Sequence, residues 1–178
     1  DQKTAKEKID SVFQAQNIAL LHGVTSSGKT LIYVELIKET LKKGQTVLFM
    51  VPEIALTTQL VNRLKVQIGE IGVYHSKFNP AERVETWNKV NSGKLRIVVG
   101  PRSALFLPFK NLGLIIVDEE HDASYKQNDL SPRFQGRDSA IVMGNQVGAK
   151  VILGSATPSL ESYYNAKKGK FGLVELSG

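Results

Sequence analysis

Short apolar runs alternate with longer amphipathic stretches along this chain. The runs fall at 18–21, 47–51, 71–74, 95–99, 112–117, 151–153 and 173–176. Several are apolar on successive residues and rich in Val and Ile, which suits strands buried on both faces of a parallel sheet. The segments between them carry a helical period. Leu56, Leu60 and Leu64 recur every fourth residue, with Val61 and Ile68 beside them, and Ala81, Val84, Trp87 and Val90 recur every third. Residues 31–43 are apolar on more than one face, predicting a helix covered by the sheet and its neighbours. Asn79-Pro80 and Thr157-Pro158 each place a capping residue before a proline at the first helical position, and Pro52 opens 52–67 in the same way. Gly44, Gly69 and Gly93 stand at or near helix ends, where a left-handed residue is often required. The order predicts an α/β fold, a mostly parallel central sheet with helices on both faces. No repeat, low-complexity tract or linker divides it, so residues 1–178 read as one domain. The polar and aromatic stretch 122–135 reads as a long loop of the kind that usually carries function.

Composition narrows the classes. The 178 residues suffice for one core. No apolar run approaches the roughly 18 residues of a membrane span, and the first residues carry no secretion signal, so the expected setting is cytoplasmic, with no membrane partner. The only methionines are Met50 and Met143, which reads as a piece of a longer protein. The absence of cysteine excludes disulfides, thiolate zinc sites and a cysteine nucleophile within this piece, and three histidines argue against a histidine-rich metal cage. The net charge of +6 fits either an anionic partner such as nucleic acid or a solvated basic surface.

Two motifs carry chemistry. Residues 23–30, Gly23, Val24, Thr25, Ser26, Ser27, Gly28, Lys29 and Thr30, match the G-x-x-x-x-G-K-[ST] phosphate loop. Backbone N–H groups of such a loop wrap a β-phosphate, Gly28 permits close approach, Lys29 faces the β and γ oxygens, and the Thr30 hydroxyl offers a ligand to Mg²⁺. An apolar run ends just before Gly23 and a helical pattern starts at Lys29, the context the motif requires. Residues 114–121 then read Leu-Ile-Ile-Val-Asp-Glu-Glu-His. A strand delivering carboxylates at its C-terminal end puts them where ligands bind in open α/β sheets. Asp118 is placed to hold Mg²⁺, and Glu119 to act as base or orienter for an attacking water. A solvated acidic turn is the plainer reading of the second motif taken alone.

Together the two motifs resemble a superfamily-two helicase motor of DEAD/DEAH type. Further segments narrow the resemblance to the bacterial replication-restart helicases: 51–59 (Val-Pro-Glu-Ile-Ala-Leu-Thr-Thr-Gln), His75-Ser76, Glu82-Arg83 with Trp87, 100–106 (Gly-Pro-Arg-Ser-Ala-Leu-Phe), 118–122 continued by 124–127, and 154–162. It spans nearly the whole chain. It implies the first, RecA-like P-loop motor lobe of an ATP-dependent DNA helicase that couples ATP hydrolysis to unwinding during primosome assembly. ATP and Mg²⁺ are then the cofactors, and the family's cysteine-bound zinc module lies outside this piece. The implied partners are single-stranded and forked DNA, other primosome proteins and single-strand-binding protein.

Roles follow by the same resemblance. Gln2 stands where such helicases read adenine. His121 relays nucleotide state, and Ser155, Ala156 and Thr157 form the motif that couples hydrolysis to DNA movement. Segments 52–59 and 102–106 face the single strand, with Arg102 and Ser103 contacting phosphate. Tyr125, Lys126, Arg133 and Phe134 belong to a loop similar to the aromatic-rich DNA-sensing loop of related motors, in which an aromatic ring stacks on a base. Plainer alternatives stand beside these: His121, Arg102 and Ser103 as turn caps, Tyr125 and Phe134 as packing anchors, 52–67 as a core helix. Ser26 stands where family members often have glycine, and Leu31 where many have an acidic residue. Other classes share parts of the pattern: a small P-loop kinase, a binding-only module, another superfamily-two translocase or an RNA helicase.

Overall fold

The computed structural model describes residues 2–24, 28–75, 77–128 and 131–176, and of Gln2 only the backbone. Among these residues seven parallel strands form one sheet: β1 (Ile18–Gly23), β2 (Thr46–Met50), β3 (Gly72–Val73), β4 (Ile97–Gly100), β5 (Leu112–Asp118), β6 (Lys150–Ser155) and β7 (Gly172–Leu176). Their order across the sheet is β3-β4-β2-β5-β6-β1-β7. The strands coincide with the seven apolar runs to within a few residues. Every residue of β2 and β4 is buried, as burial on both faces demands.

Helices α1 (Gln2–Ala15), α2 (Lys29–Lys42) and α3 (Thr58–Ile68) cover one face, where Ile9, Ile37 and Leu64 meet Val47, Phe49 and Ile116. Helices α4 (Pro80–Asn91), α5 (Gly136–Val147) and α6 (Leu160–Lys167) cover the other, where Val90, Ala140 and Ala166 meet Leu48, Val117 and Leu153. No helix among the described residues is long and apolar enough to cross a membrane.

Helix starts agree with the sequence at one place and differ at two. Asn79 caps α4 in a full capping box: its Oδ1 accepts from Glu82 N at 3.0 Å, and Glu82 Oε2 accepts from Asn79 N at 2.8 Å. Pro52 does not open the α3 helix. A 3₁₀ turn at Glu53–Ala55 intervenes, and the Thr57 hydroxyl caps the helix by accepting from Leu60 N. Nor does Thr157 cap α6. Ser159 does, accepting from Ser162 N, while its own N–H donates to the buried carboxylate of Glu120. The expected loop 122–135 holds a 3₁₀ turn at Ala123–Tyr125 and an antiparallel bridge between Lys126 and Gln135.

Candidate nucleotide site

β1 delivers Gly23 at its C-terminal end, and α2 begins at Lys29. Gly28, with φ 91°, adopts the left-handed conformation that joins them, where a side chain would be strained. The first N–H groups of α2 point out of its N-terminus, and the helix dipole adds positive potential there. Lys29 is buried to 8% exposure, and its Nζ donates to the carbonyls of Gly23 at 2.7 Å and Val24 at 3.4 Å. The ammonium group is thus held against the mouth of the loop. Thr30 is half-buried in the first turn. Thr25, Ser26 and Ser27 lie outside the described residues, as do Ser76 and the side chain of Gln2.

β6 lies between β1 and β5, with Ser155 in register with His22 and Gly154 with Asp118. The loop and the acidic box are therefore two strand spacings apart, about 10 Å. Asp118 is held from two sides. The Tyr33 phenol donates to its Oδ1 at 2.9 Å, and the Tyr125 phenol donates to its main-chain carbonyl at 2.6 Å. Burial raises the Asp118 carboxyl above its ordinary pKa; the Tyr33 hydrogen bond opposes the rise, the Glu119 charge adds to it and the Lys29 charge opposes it. Both phenols are pushed well up, first by burial and then by the Asp118 charge.

Glu119 turns the chain off the strand with φ 48°, a strained setting for a residue with a side chain. The turn leaves Glu119 half-exposed on the site side and sends Glu120 into the core at 0% exposure. His121 then faces the end of β6. Its Nδ1 lies 2.7 Å from Ser155 Oγ and 3.7 Å from Glu119 Oε2, and its Nε2 lies 3.4 Å from Thr157 Oγ1. Thr157 N donates to Ser155 Oγ at 2.9 Å, with half-buried Ala156 in the turn between them. The box and 155–157 form one hydrogen-bonded unit.

Sequence reasoning missed the anchor beneath this unit. Glu120 Oε1 accepts from Ser159 N at 2.6 Å. Its Oε2 accepts from Ser162 Oγ at 2.8 Å, Ser159 Oγ at 3.0 Å and Arg137 Nη1 at 3.1 Å. Arg137 also donates to Asp138 Oδ1 at 2.8 Å. A buried carboxylate with this many donors is satisfied.

The residues expected to face nucleic acid are dispersed. Arg102 donates from Nη1 to the carbonyls of Ser124 and Lys126, so it braces the segment after the box. Ser103 Oγ is buried and makes no hydrogen bond. Tyr125, expected as a stacking surface, has 0% exposure. Its ring is core and its hydroxyl is spent on Asp118, so it cannot stack on a base in this arrangement. Lys126 and Arg133 are exposed. Phe106, 66% exposed, meets Phe134 edge-to-face with ring centroids 5.2 Å apart, an accessible aromatic pair beside this segment.

Comparisons with known proteins agree with this geometry. The replication restart protein PriA of Chlamydia pneumoniae is 49% identical over 99% of this chain and 24% of its own length. The PriA proteins of Haemophilus influenzae and Bacillus subtilis are 52% and 46% identical, over 90% and 96% of this chain and 22% and 21% of theirs. The chain thus spans about a quarter of the length of the curated relatives it matches. Among solved structures, RecG bound to a three-way DNA junction superposes with a TM-score of 0.71 at 24% identity, over 99% of this chain and 23% of that one. The Pyrococcus furiosus Hef helicase domain gives 0.64 at 17% identity, over 96% and 37%. These two likenesses show the fold alone. A family model described as DEAD/DEAH box helicase matches residues 2–166. Since that match takes in both the phosphate loop and the acidic box on a sheet that sets them across one strand, the chain belongs to the DEAD/DEAH box helicase family.

Proposed function

We propose that residues 1–178 are the first motor lobe of an ATP-dependent DNA helicase that acts in replication restart, in the cytoplasm. The observation that carries this is the placement of the Gly28-Lys29 cradle and Asp118 on either side of β6, whose end bears the 155–157 turn. The name shared by relatives 46–53% identical supports the restart setting.

The donor set fits ATP with Mg²⁺. A left-handed glycine at a helix N-terminus, a buried lysine and a carboxylate at a strand end are suited to a phosphate chain and a hard cation. No cluster of three His, Asp or Glu side chains close enough to hold a metal occurs among the described residues, so phosphate oxygens would complete the shell around Asp118 and the Thr30 hydroxyl. Bound Mg²⁺ supplies charge neutralisation on the phosphate oxygens. The chain's own groups hold the phosphate and position the water. Lys29 Nζ transfers from the Gly23 carbonyl to phosphate oxygen. Glu119 orients the water and takes its proton on the carboxylate, with His121 Nδ1 3.7 Å away. His121, Ser155 and Thr157 carry the change at Glu119 to the end of β6. ATPase assays of the full-length protein with forked DNA, single-stranded DNA and RNA test the reading. Forked or single-stranded DNA should stimulate most, and stimulation by RNA alone would overturn it.

Two further outcomes are expected. The lobe alone should hydrolyse ATP at least about 10³-fold more slowly than the whole protein, because a second lobe would supply the arginines that stabilise charge on the transferring phosphoryl group; phosphate release measures this, and equal turnover would refute it. Lys126, Arg133 and Phe134 are proposed to meet the single strand, with Arg102 bracing the segment behind them. Two cationic phosphate contacts give a slope near about −1.4 in log K against log salt, or roughly a 7-fold loss of affinity between 50 and 200 mM. Fluorescence anisotropy with an oligothymidylate checks it, and a flat salt response would remove the phosphate contacts.

A further inference from the structure

We infer that Tyr33 is a positioning residue that sets the Asp118 carboxylate for its part in holding the metal; this rests on the nucleotide-site reading above. Tyr33 stands one helical turn after Lys29, so the two share the face of α2 that looks into the sheet. Its side chain is fully buried, packed edge-to-face on Phe49 with ring centroids 5.5 Å apart. From there the phenol crosses the end of β6 and donates to Asp118 Oδ1 at 2.9 Å.

The neighbouring strand is shaped for that crossing. A Cβ at Gly154 would fall 1.7 Å from the Tyr33 hydroxyl and 3.2 Å from Asp118 Oδ1. Gly154 is in register with Asp118 on β5 and with Leu21 on β1, so glycine occupies the one place on β6 where a side chain would part α2 from the carboxylate. The main chain of Asp118 is fixed separately by the Tyr125 phenol, donating to its carbonyl at 2.6 Å. The backbone and the carboxylate thus answer to different elements. The 3₁₀ turn after the box holds the first, and the phosphate helix holds the second.

A hydrogen bond from a buried donor to one oxygen of a ligating carboxylate fixes the rotamer in which the group meets its ion. Removing such an outer partner typically weakens metal binding about 10- to 100-fold. Because Tyr33 and Lys29 ride on one rigid helix, the arrangement also ties the carboxylate to the element that grips phosphate. A merely structural phenol would stabilise the fold without changing the demand for metal.

The test uses the full-length protein carrying this chain and three substitutions: Tyr33→Phe, Gly154→Ala and Lys29→Ala. Binding of a fluorescent ATP analogue is followed in chelator and across a Mg²⁺ titration, and Mn²⁺ retained by the protein–nucleotide complex is read by electron paramagnetic resonance. Tyr33→Phe should bind nucleotide within about twofold of wild type in chelator yet need about 10-fold more Mg²⁺ or Mn²⁺ for half-saturation. An unchanged metal half-point in Tyr33→Phe, with nucleotide binding lost in Lys29→Ala, overturns the role of Tyr33 and leaves the nucleotide site standing. Wild-type nucleotide affinity in Lys29→Ala overturns the nucleotide-site reading itself. Should Tyr33→Phe fail to fold, Gly154→Ala displaces the hydroxyl without removing it and must raise the same half-point; a wild-type value there overturns the proposal.

Discussion

Replacing Lys29 with alanine in the full-length protein is expected to lower ATP turnover by about 10³-fold and to abolish strand separation. Removing one preorganised charge donor at a reacting centre typically lowers the rate by about 10²–10³, and this donor also serves ground-state phosphate binding. The substitution has a second effect. The ammonium group is buried and bonds the Gly23 carbonyl at 2.7 Å, so alanine also releases the tie between the end of β1 and the start of α2. Nucleotide affinity should therefore fall with turnover rather than remain intact. Steady-state phosphate release and a fork-unwinding assay measure the two losses. Wild-type unwinding by this variant would remove residues 23–30 from the site.

Arg137→Met should be strongly destabilising although it lies outside the motifs. It keeps most of the side-chain volume and removes the cation beside a carboxylate with no solvent exposure. Breaking a buried pair from one side costs about 3–5 kcal/mol. The lower end applies, because Ser159 N, Ser159 Oγ and Ser162 Oγ still donate to Glu120. About 3 kcal/mol in a lobe of this size corresponds to a fall in Tm on the order of 10 °C. Adding Glu120→Gln should recover part of that loss by removing the unpaired charge. Differential scanning fluorimetry on the two variants and wild type decides it. A Tm within about 2 °C of wild type for Arg137→Met would show that the serines alone satisfy Glu120.

The five inner strands were legible because each is buried on both faces along nearly its whole length and must be apolar at successive positions. That condition leaves an unbroken run such as 112–117, which no amphipathic helix would show. The edge strand β7, by contrast, leaves Glu175 exposed. The α4 start was legible because its capping signal is local to Asn79, Pro80 and Glu82. α5 was not, and the reason is its packing. Its buried stripe is Gly136, Ala140 and Gly144, and a Cβ at Gly144 would fall 2.4 Å from Val151 Cγ2. A helix that docks by closeness of backbone shows no apolar period. α1 did show one, in Ala5, Ile9 and Val12, but thinly among charged residues.

The site divided along the same line. The phosphate loop and Asp118-Glu119 are contiguous in sequence and could be read directly. Glu120 is chemically identical to its neighbour, and only the left-handed turn at Glu119 decides which of the two enters the core. Tyr125 carries an equal capacity for stacking or packing, and its place beneath Asp118 depends on a hydrogen bond seven residues back. Tyr33 depends on one eighty-five residues ahead. Interactions at that range leave no local pattern.

The strand order also bears on how the lobe is made. β1 bonds only to β6 and β7 among the described strands, so its neighbours are translated roughly 130 residues after it. β2, β4 and β5 pair among themselves and can assemble first. At about 5–20 residues per second of synthesis, the loop after β1 waits roughly 7–25 s before the strands that hold it exist. During that interval the nascent lobe lacks both the strands that seat the phosphate loop and the Ser155, Ser159 and Ser162 groups that hold His121 and Glu120 of the acidic box. Nucleotide thus becomes a ligand of this lobe only near the end of its synthesis, and a pause or truncation anywhere before β6 yields a product that cannot bind it.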